Sequence, residues 1–240
     1  MHRRLACLQN AQLERAMLKG RKLWLGLVYL AFSALTGWAQ QPAAAPNKWE
    51  ADIQKFEEAD RQHPPAKGGV LFIGSSSIRM WKDLTADFPG VNALNRGFGG
   101  SEIADSTAFV DRIIVPYQPR LILLYAGDND LAAGKTPQQV LADYQAFVNR
   151  VRAKLPSVKI AFISIKPSLA RLKLMEQMRT ANALIREYTT QQRNLLFVDV
   201  FTPMLNDAGQ PRPELFIQDG LHMTREGYAI WRKMIAPLLQ

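Results

Sequence analysis

Cysteine is almost absent from this chain, with one residue, Cys7, among 240. It falls in a stretch that reads as a leader, so the domain that follows contains no thiol. Disulfide bridges, thiolate-bound metal and a cysteine nucleophile are thereby excluded from that domain. It must rest on its core, and about 200 residues from a chain with 48% apolar content suffice to build one. Histidine is nearly as scarce: His2, His63 and His222. His2 lies in the leader and His63 is followed by Pro64 and Pro65, which leaves His222 as the leading candidate for acid–base chemistry near neutral pH. The apolar run Leu23 to Gly37 is short. At about 15 residues it spans roughly 22 Å as a helix, less than a bilayer core of ~30 Å.

That run has Arg15, Lys19, Arg21 and Lys22 before it and small or polar residues after it, the order of a secretory signal peptide. Ala39, with Gly37 two before it, is the expected cleavage point. Residues 1–39 are thus expected to be a signal peptide, 40–47 a flexible link and 48–240 one domain. A retained N-terminal membrane anchor is the alternative. No cysteine ends the run, which gives lipid attachment there no support. The leader also accounts for much of the net charge of +9. Without its six basic residues and Glu14, the rest carries 24 basic and 20 acidic residues, a balance of +4. That balance gives no reason to invoke nucleic acid.

Five short apolar runs follow one another: Val70–Ile73, Val91–Leu94, Leu121–Tyr125, Ile160–Ile165 and Leu195–Val200. Helix-like stretches alternate with them over 102–114, 137–154, 169–192 and 225–238, and Trp49–Asp60 carries Trp49, Ile53 and Phe56 at helical spacing. Continuous apolar strands alternating with helices predict an α/β fold, a three-layer sandwich around a five-stranded parallel sheet. Ligands in such sheets bind beyond the C-terminal strand ends. The polar, glycine-rich segments stand there after the first three runs, and Asp219 and His222 follow the fifth.

Each segment has an ordinary reading and a chemical one. In Gly74-Ser75-Ser76-Ser77, a serine can cap a helix or expose a reactive hydroxyl at a strand-to-helix turn. Gly97-Phe98-Gly99-Gly100 is a turn, or a place where a backbone N–H meets a ligand. A dinucleotide loop there would need glycine at 102, where Glu102 stands, and no GxxxxGK[ST] segment occurs. Gly127-Asp128-Asn129-Asp130 is an Asx turn, or presents an amide donor from Asn129. It lacks the further oxygen ligands of a calcium loop, since Leu131-Ala132-Ala133-Gly134 follows. Asp219 and His222, at i and i+3, form a structural pair or a carboxylate that orients an imidazole. Thr224 can cap the last helix without Asp219.

In this order the segments resemble the SGNH/GDSL hydrolase superfamily, of the platelet-activating-factor acetylhydrolase-like or GDSL esterase-lipase type, over about residues 68–238. The resemblance implies a flavodoxin-like sheet order and an esterase with Ser76 as nucleophile, His222 as general base and Asp219 as its orienting acid. It also implies an oxyanion hole from the backbone N–H groups of Ser76 and Gly100 and the side chain of Asn129. No metal or organic cofactor is implied. The family's first block reads Gly-Asp-Ser where this chain has Gly74-Ser75-Ser76, and Ser77 is the alternative nucleophile. The expected protein is an exported esterase, periplasmic or secreted, acting on small or carbohydrate-linked acyl esters, with no stable membrane insertion once the leader is cut. A glycan-binding module with a vestigial site is the competing reading. Trp81, Phe98 and Tyr125 are candidate pocket walls whose simpler role is core packing. Arg79 and Arg96 are candidate contacts for a polar leaving group whose simpler state is solvated.

Overall fold

The structure is a computed structural model that describes residues 47–239. The expected signal peptide and nearly all of the link lie outside the described residues. The first helix, α1 (Glu50–Gln62), starts where the Asn47 carbonyl takes the N–H of Glu50 and its side chain takes the N–H of Trp49.

Five strands follow: β1 (Val70–Gly74), β2 (Ala93–Gly97), β3 (Leu121–Tyr125), β4 (Lys159–Ile163) and β5 (Leu195–Val198). All pair in parallel, in the order β2-β1-β3-β4-β5. This is the flavodoxin-like order, with its switch point at β1 and β3, where a crevice opens beyond the strand ends. The register makes that edge level: Gly74 pairs with Gly97 on one side and Tyr125 on the other. The loops after β1, β2 and β3 therefore leave from one line.

Alternate residues of each strand enter opposite cores. Leu71, Ile73, Ile122, Leu124, Ile160 and Phe162 face one, packed with Ile53 of α1 and the helices α4 (Ile103–Ala108), α5 (Val110–Ile113), α7 (Pro137–Arg152) and α8 (Met175–Thr190). Val70, Phe72, Leu121, Leu123 and Tyr125 face the other, closed by Trp81, by Leu84 of α3 (Leu84–Asp87), and by Tyr228 and Trp231 of α9 (Arg225–Ile235). Both faces being covered explains why the strands read as continuous apolar runs rather than as alternation. Thr136 and Gln139 cap α7 reciprocally with Pro137 at its first position, and Thr224 caps α9 by accepting the N–H of Gly227.

Several boundaries differ from the sequence expectation. β2 is Ala93–Gly97 rather than Val91–Leu94, because its polar residues are satisfied in place: Asn95 donates to the Ile78 carbonyl, and Arg96 pairs with Asp60 of α1 and the Tyr117 hydroxyl. Arg96 is thus a buried tie between α1 and the sheet, not a contact for substrate. The stretch 102–114 breaks at Phe109 into α4 and α5, and 169–192 begins with a 3₁₀ segment, Leu169–Leu174, before α8. Trp81, Phe98 and Tyr125 are fully buried and pack as core. Among the described residues, no helix is long and apolar enough to cross a membrane.

The end of β1 depends on one glycine. Gly74 has φ +129, and a Cβ there would lie 1.8 Å from the Tyr125 carbonyl oxygen of the neighbouring strand. Gly74→Ala is expected to lose more than ~2 kcal/mol of stability, because both the conformation and the space are wrong for a side chain. Urea unfolding measures it; an unchanged midpoint would show that the strand end adapts.

Candidate active site

Directly after Gly74, Ser75 is extended and its carbonyl accepts the N–H groups of Ile78 and Arg79, closing the single turn α2 (Ser76–Arg79). A helix this short supplies N–H groups but little macrodipole. Of the three serines only Ser76 is partly exposed. Ser75 is buried and its hydroxyl has no hydrogen-bond partner among the described residues, so it occupies the capping position without capping. Ser77 is buried beside α9, whose Tyr228 hydroxyl donates to its carbonyl. The hydroxyl that meets the imidazole is that of Ser76, with Oγ 2.9 Å from His222 Nε2.

His222 lies in the loop before α9. Its Nδ1 is 2.5 Å from Asp219 Oδ2, while Asp219 Oδ1 accepts the N–H groups of Leu221 and His222, each at 2.9 Å. Burial raises the Asp219 pKa, but the ring and the two backbone donors outweigh it and hold the carboxyl down to about 2. An ionised carboxylate only accepts hydrogen bonds, so Nδ1 carries a proton, and in the neutral tautomer Nε2 is the acceptor that faces Ser76.

The loop is braced from β4. Lys166, just past that strand, is completely buried and donates to the Leu221 carbonyl at 2.7 Å. The Ala170 N–H donates to the Gly220 carbonyl at 3.0 Å. Burial pushes the Lys166 ammonium down to about 8, against the attraction of Asp128 and Asp219.

The other loops converge here. Gly99 has φ +43, and a Cβ would run into the Trp49 ring at 1.8 Å, so only glycine makes this turn. At Gly100 a Cβ would point toward the Asn129 amide, 3.7 Å from Nδ2. Asn129, in the first turn of α6 (Asp128–Ala132), donates from Nδ2 to the Ser101 carbonyl at 3.1 Å and accepts on Oδ1 from Arg171 Nη2 at 2.7 Å. Its flanking aspartates are both engaged within the protein. Asp128 lies 2.8 Å from Arg171 Nη1. Asp130 accepts the Ile103 N–H and the Lys135 ammonium, and burial raises its pKa against the pull of Lys135. Asp130 thereby ties the loop after β2 to the turn after β3. Among the described residues, no group of three or more His, Cys, Asp or Glu side chains is placed to hold a metal ion.

The structure thus lines up Ser76, His222 and Asp219 and sets Gly100 beside Asn129, on loops of which those after β1, β2 and β3 leave one strand edge. Arg79 is exposed on α2. The sequence reading did not single out Lys166, Arg171 or Asp128 for the site. Lys166 carried a signal, as a lone charge ending the apolar run Ile160–Ile165. Arg171 carried none, because it sits in a stretch that reads as an ordinary helix.

A parallel sheet with this order and a Ser–His–Asp line at its switch point define an SGNH-type hydrolase. Residues 66–230 match the model of the GDSL-like lipase/acylhydrolase family, and the chain belongs to that family of ester-hydrolysing enzymes. Solved structures share the fold. A protein from Streptococcus pneumonia, provisionally described as a platelet activating factor, is 23% identical with TM-score 0.71, over 79% of this chain and 92% of that one. A GDSL-like lipase from Bacteroides thetaiotaomicron is 20% identical with TM-score 0.67, over 79% and 97%. An acetylxylan esterase from Geobacillus stearothermophilus is 16% identical with TM-score 0.56, over 72% and 94%. No curated protein sequence matches the chain significantly.

Lys166 gives this site a pH signature. Its folded pKa, about 8, lies below the ordinary 10.5. Between these values the unfolded chain holds more protons than the folded one, so stability rises with pH through that window. Relative to Lys166→Met, the native protein is expected to gain about 3 kcal/mol between pH 7 and 10.5. Urea unfolding of both at several pH values measures the difference, and parallel curves would mean that the lysine is not strained by burial.

Proposed function

We propose that this protein is an exported serine esterase that hydrolyses small or carbohydrate-linked acyl esters, acetyl esters foremost. The observation that carries the reading is the Ser76–His222–Asp219 line, with 2.9 Å and 2.5 Å contacts on the two ring nitrogens of one imidazole. In the proposed first step the Ser76 hydroxyl gives its proton to His222 Nε2 as Oγ attacks the ester carbonyl. Asp219 stabilises the imidazolium that forms. The carbonyl oxygen, now negative, is received by the backbone N–H groups of Ser76 and Gly100 and by Asn129 Nδ2. The imidazolium then protonates the leaving alcohol, and water, activated by His222, releases the acid from the acyl-enzyme.

A short acyl group fits the absence, in the sequence, of a long apolar lid-like insertion. The acetylxylan esterase that shares the fold supports a carbohydrate-linked leaving group. Export is read from the leader-like order of residues 1–39. Ser75, which stands where the family has aspartate, is the one feature that speaks for a vestigial binding module, and its hydroxyl makes no hydrogen bond among the described residues.

The reading is tested with p-nitrophenyl esters of increasing acyl length and with acetylated xylo-oligosaccharides. Ser76→Ala is expected to abolish turnover on all of them, and activity is expected to fall as the acyl chain lengthens. Asn129→Ala should lower kcat by about 10²–10³, roughly 3 kcal/mol of transition-state stabilisation. Equal hydrolysis by native protein and Ser76→Ala would remove the assigned nucleophile.

A further inference from the structure

We infer that Arg171 is a positioning residue for the oxyanion hole, holding the Asn129 amide in the orientation that turns an N–H toward the reacting centre. The inference rests on Asn129 being an oxyanion donor, as proposed above. An asparagine side chain can turn over about its last bond, exchanging oxygen and NH₂ at almost no steric cost. In one orientation it offers donors to a developing oxyanion; in the other it offers an oxygen, which repels negative charge.

The neighbours of Asn129 decide between the two. A guanidinium only donates, and Arg171 Nη2 lies 2.7 Å from Oδ1. Turning the amide over would bring NH₂ against a cationic donor. On the far side, Nδ2 gives one of its two N–H groups to the Ser101 carbonyl at 3.1 Å. Nδ2 keeps a second N–H, and the amide as a whole lies beside Gly100, whose Cβ position would be 3.7 Å from Nδ2 and 4.0 Å from Oδ1. The cation also polarises the amide and makes that N–H a stronger donor.

Arg171 is itself fixed. Its Nη1 lies 2.8 Å from Asp128 Oδ2 as a charge pair without hydrogen-bond alignment, so the guanidinium spans two successive residues, 128 and 129, with a side chain only 16% exposed. Asp128 Oδ1 has no hydrogen-bond partner among the described residues, so this carboxylate is compensated by the charges of Arg171 and Lys166. Backbone shape contributes too: Arg171 leaves helical geometry at φ −125 and ψ 31 within the Leu169–Leu174 segment. The preceding residue, Ala170, donates to Gly220 in the loop that carries His222. One segment after β4 thus sets both the acid–base loop and the amide donor.

The test is a double-mutant cycle on p-nitrophenyl acetate, with kcat, KM and melting temperature measured for each protein. Arg171→Lys keeps a cation for Asp128 but lacks the planar fork that reaches both residues. It is expected to lower kcat by about 10-fold or more with KM within about 3-fold, whereas in an Asn129→Ala background the same change should cost less than about 3-fold. If Arg171→Lys folds poorly, Arg171→Met combined with Asp128→Asn removes both members of the pair, and the same comparison is made with it. A rise in KM at constant kcat would make Arg171 a substrate contact and overturn the inference. So would a full multiplicative loss on top of Asn129→Ala, which would make it independent of the amide. If Asn129→Ala alone leaves kcat unchanged, it is the oxyanion assignment that fails.

Discussion

His222 Nε2 sits 2.9 Å from Ser76 Oγ, across 146 residues of chain, and the rest of the architecture serves to hold that distance. Neither residue is fixed by its own local structure. Ser76 begins a four-residue turn at the end of a central strand, and His222 hangs on a loop before the last helix. The sheet supplies the common frame. Because Gly74, Gly97 and Tyr125 stand level in the register, three loops reach the same rim. Trp81, Tyr228 and Trp231 pack α9 onto the face below, with Trp81 and Tyr228 rings stacked at 5.1 Å. The loop that carries His222 is anchored between that packed helix and the strand ends.

The site is assembled at a cost in stability. Lys166, Asp128 and Asp130 are buried charged residues, and Arg171 is nearly so. Well-packed apolar residues in such places often give an equally or more stable protein, while loss of a single partner is strongly destabilising. Their use here is positional: Lys166 holds the Leu221 carbonyl, Arg171 holds the Asn129 amide, and Asp130 holds the start of α4. A hydrophobic contact is non-directional and would not fix a carbonyl or an amide to one orientation.

The strands and the motif order were legible in the sequence because each depends on local pattern, and the meeting of Ser76, His222 and Asp219 was expected from the family resemblance that this order carries. Apolar runs buried on both faces mark the parallel strands, and Gly74 and Gly99 mark turns that no other residue fits. What could not be read depends on distant partners. Asn95 and Arg96 looked too polar for a strand until Ile78, Asp60 and Tyr117 were there to receive them. Arg171 carried no pattern at all: its role appears only when β4 and the turn after β3 are brought side by side.

The most direct test of the account is covalent trapping. The native protein is incubated with a fluorophosphonate, which reacts with activated serines, then digested, and the modified residue is identified by mass spectrometry. The account predicts one adduct, on Ser76, that fails to form in His222→Ala. Modification of Ser77 or of a serine outside this turn, with ester hydrolysis lost in step, would contradict it.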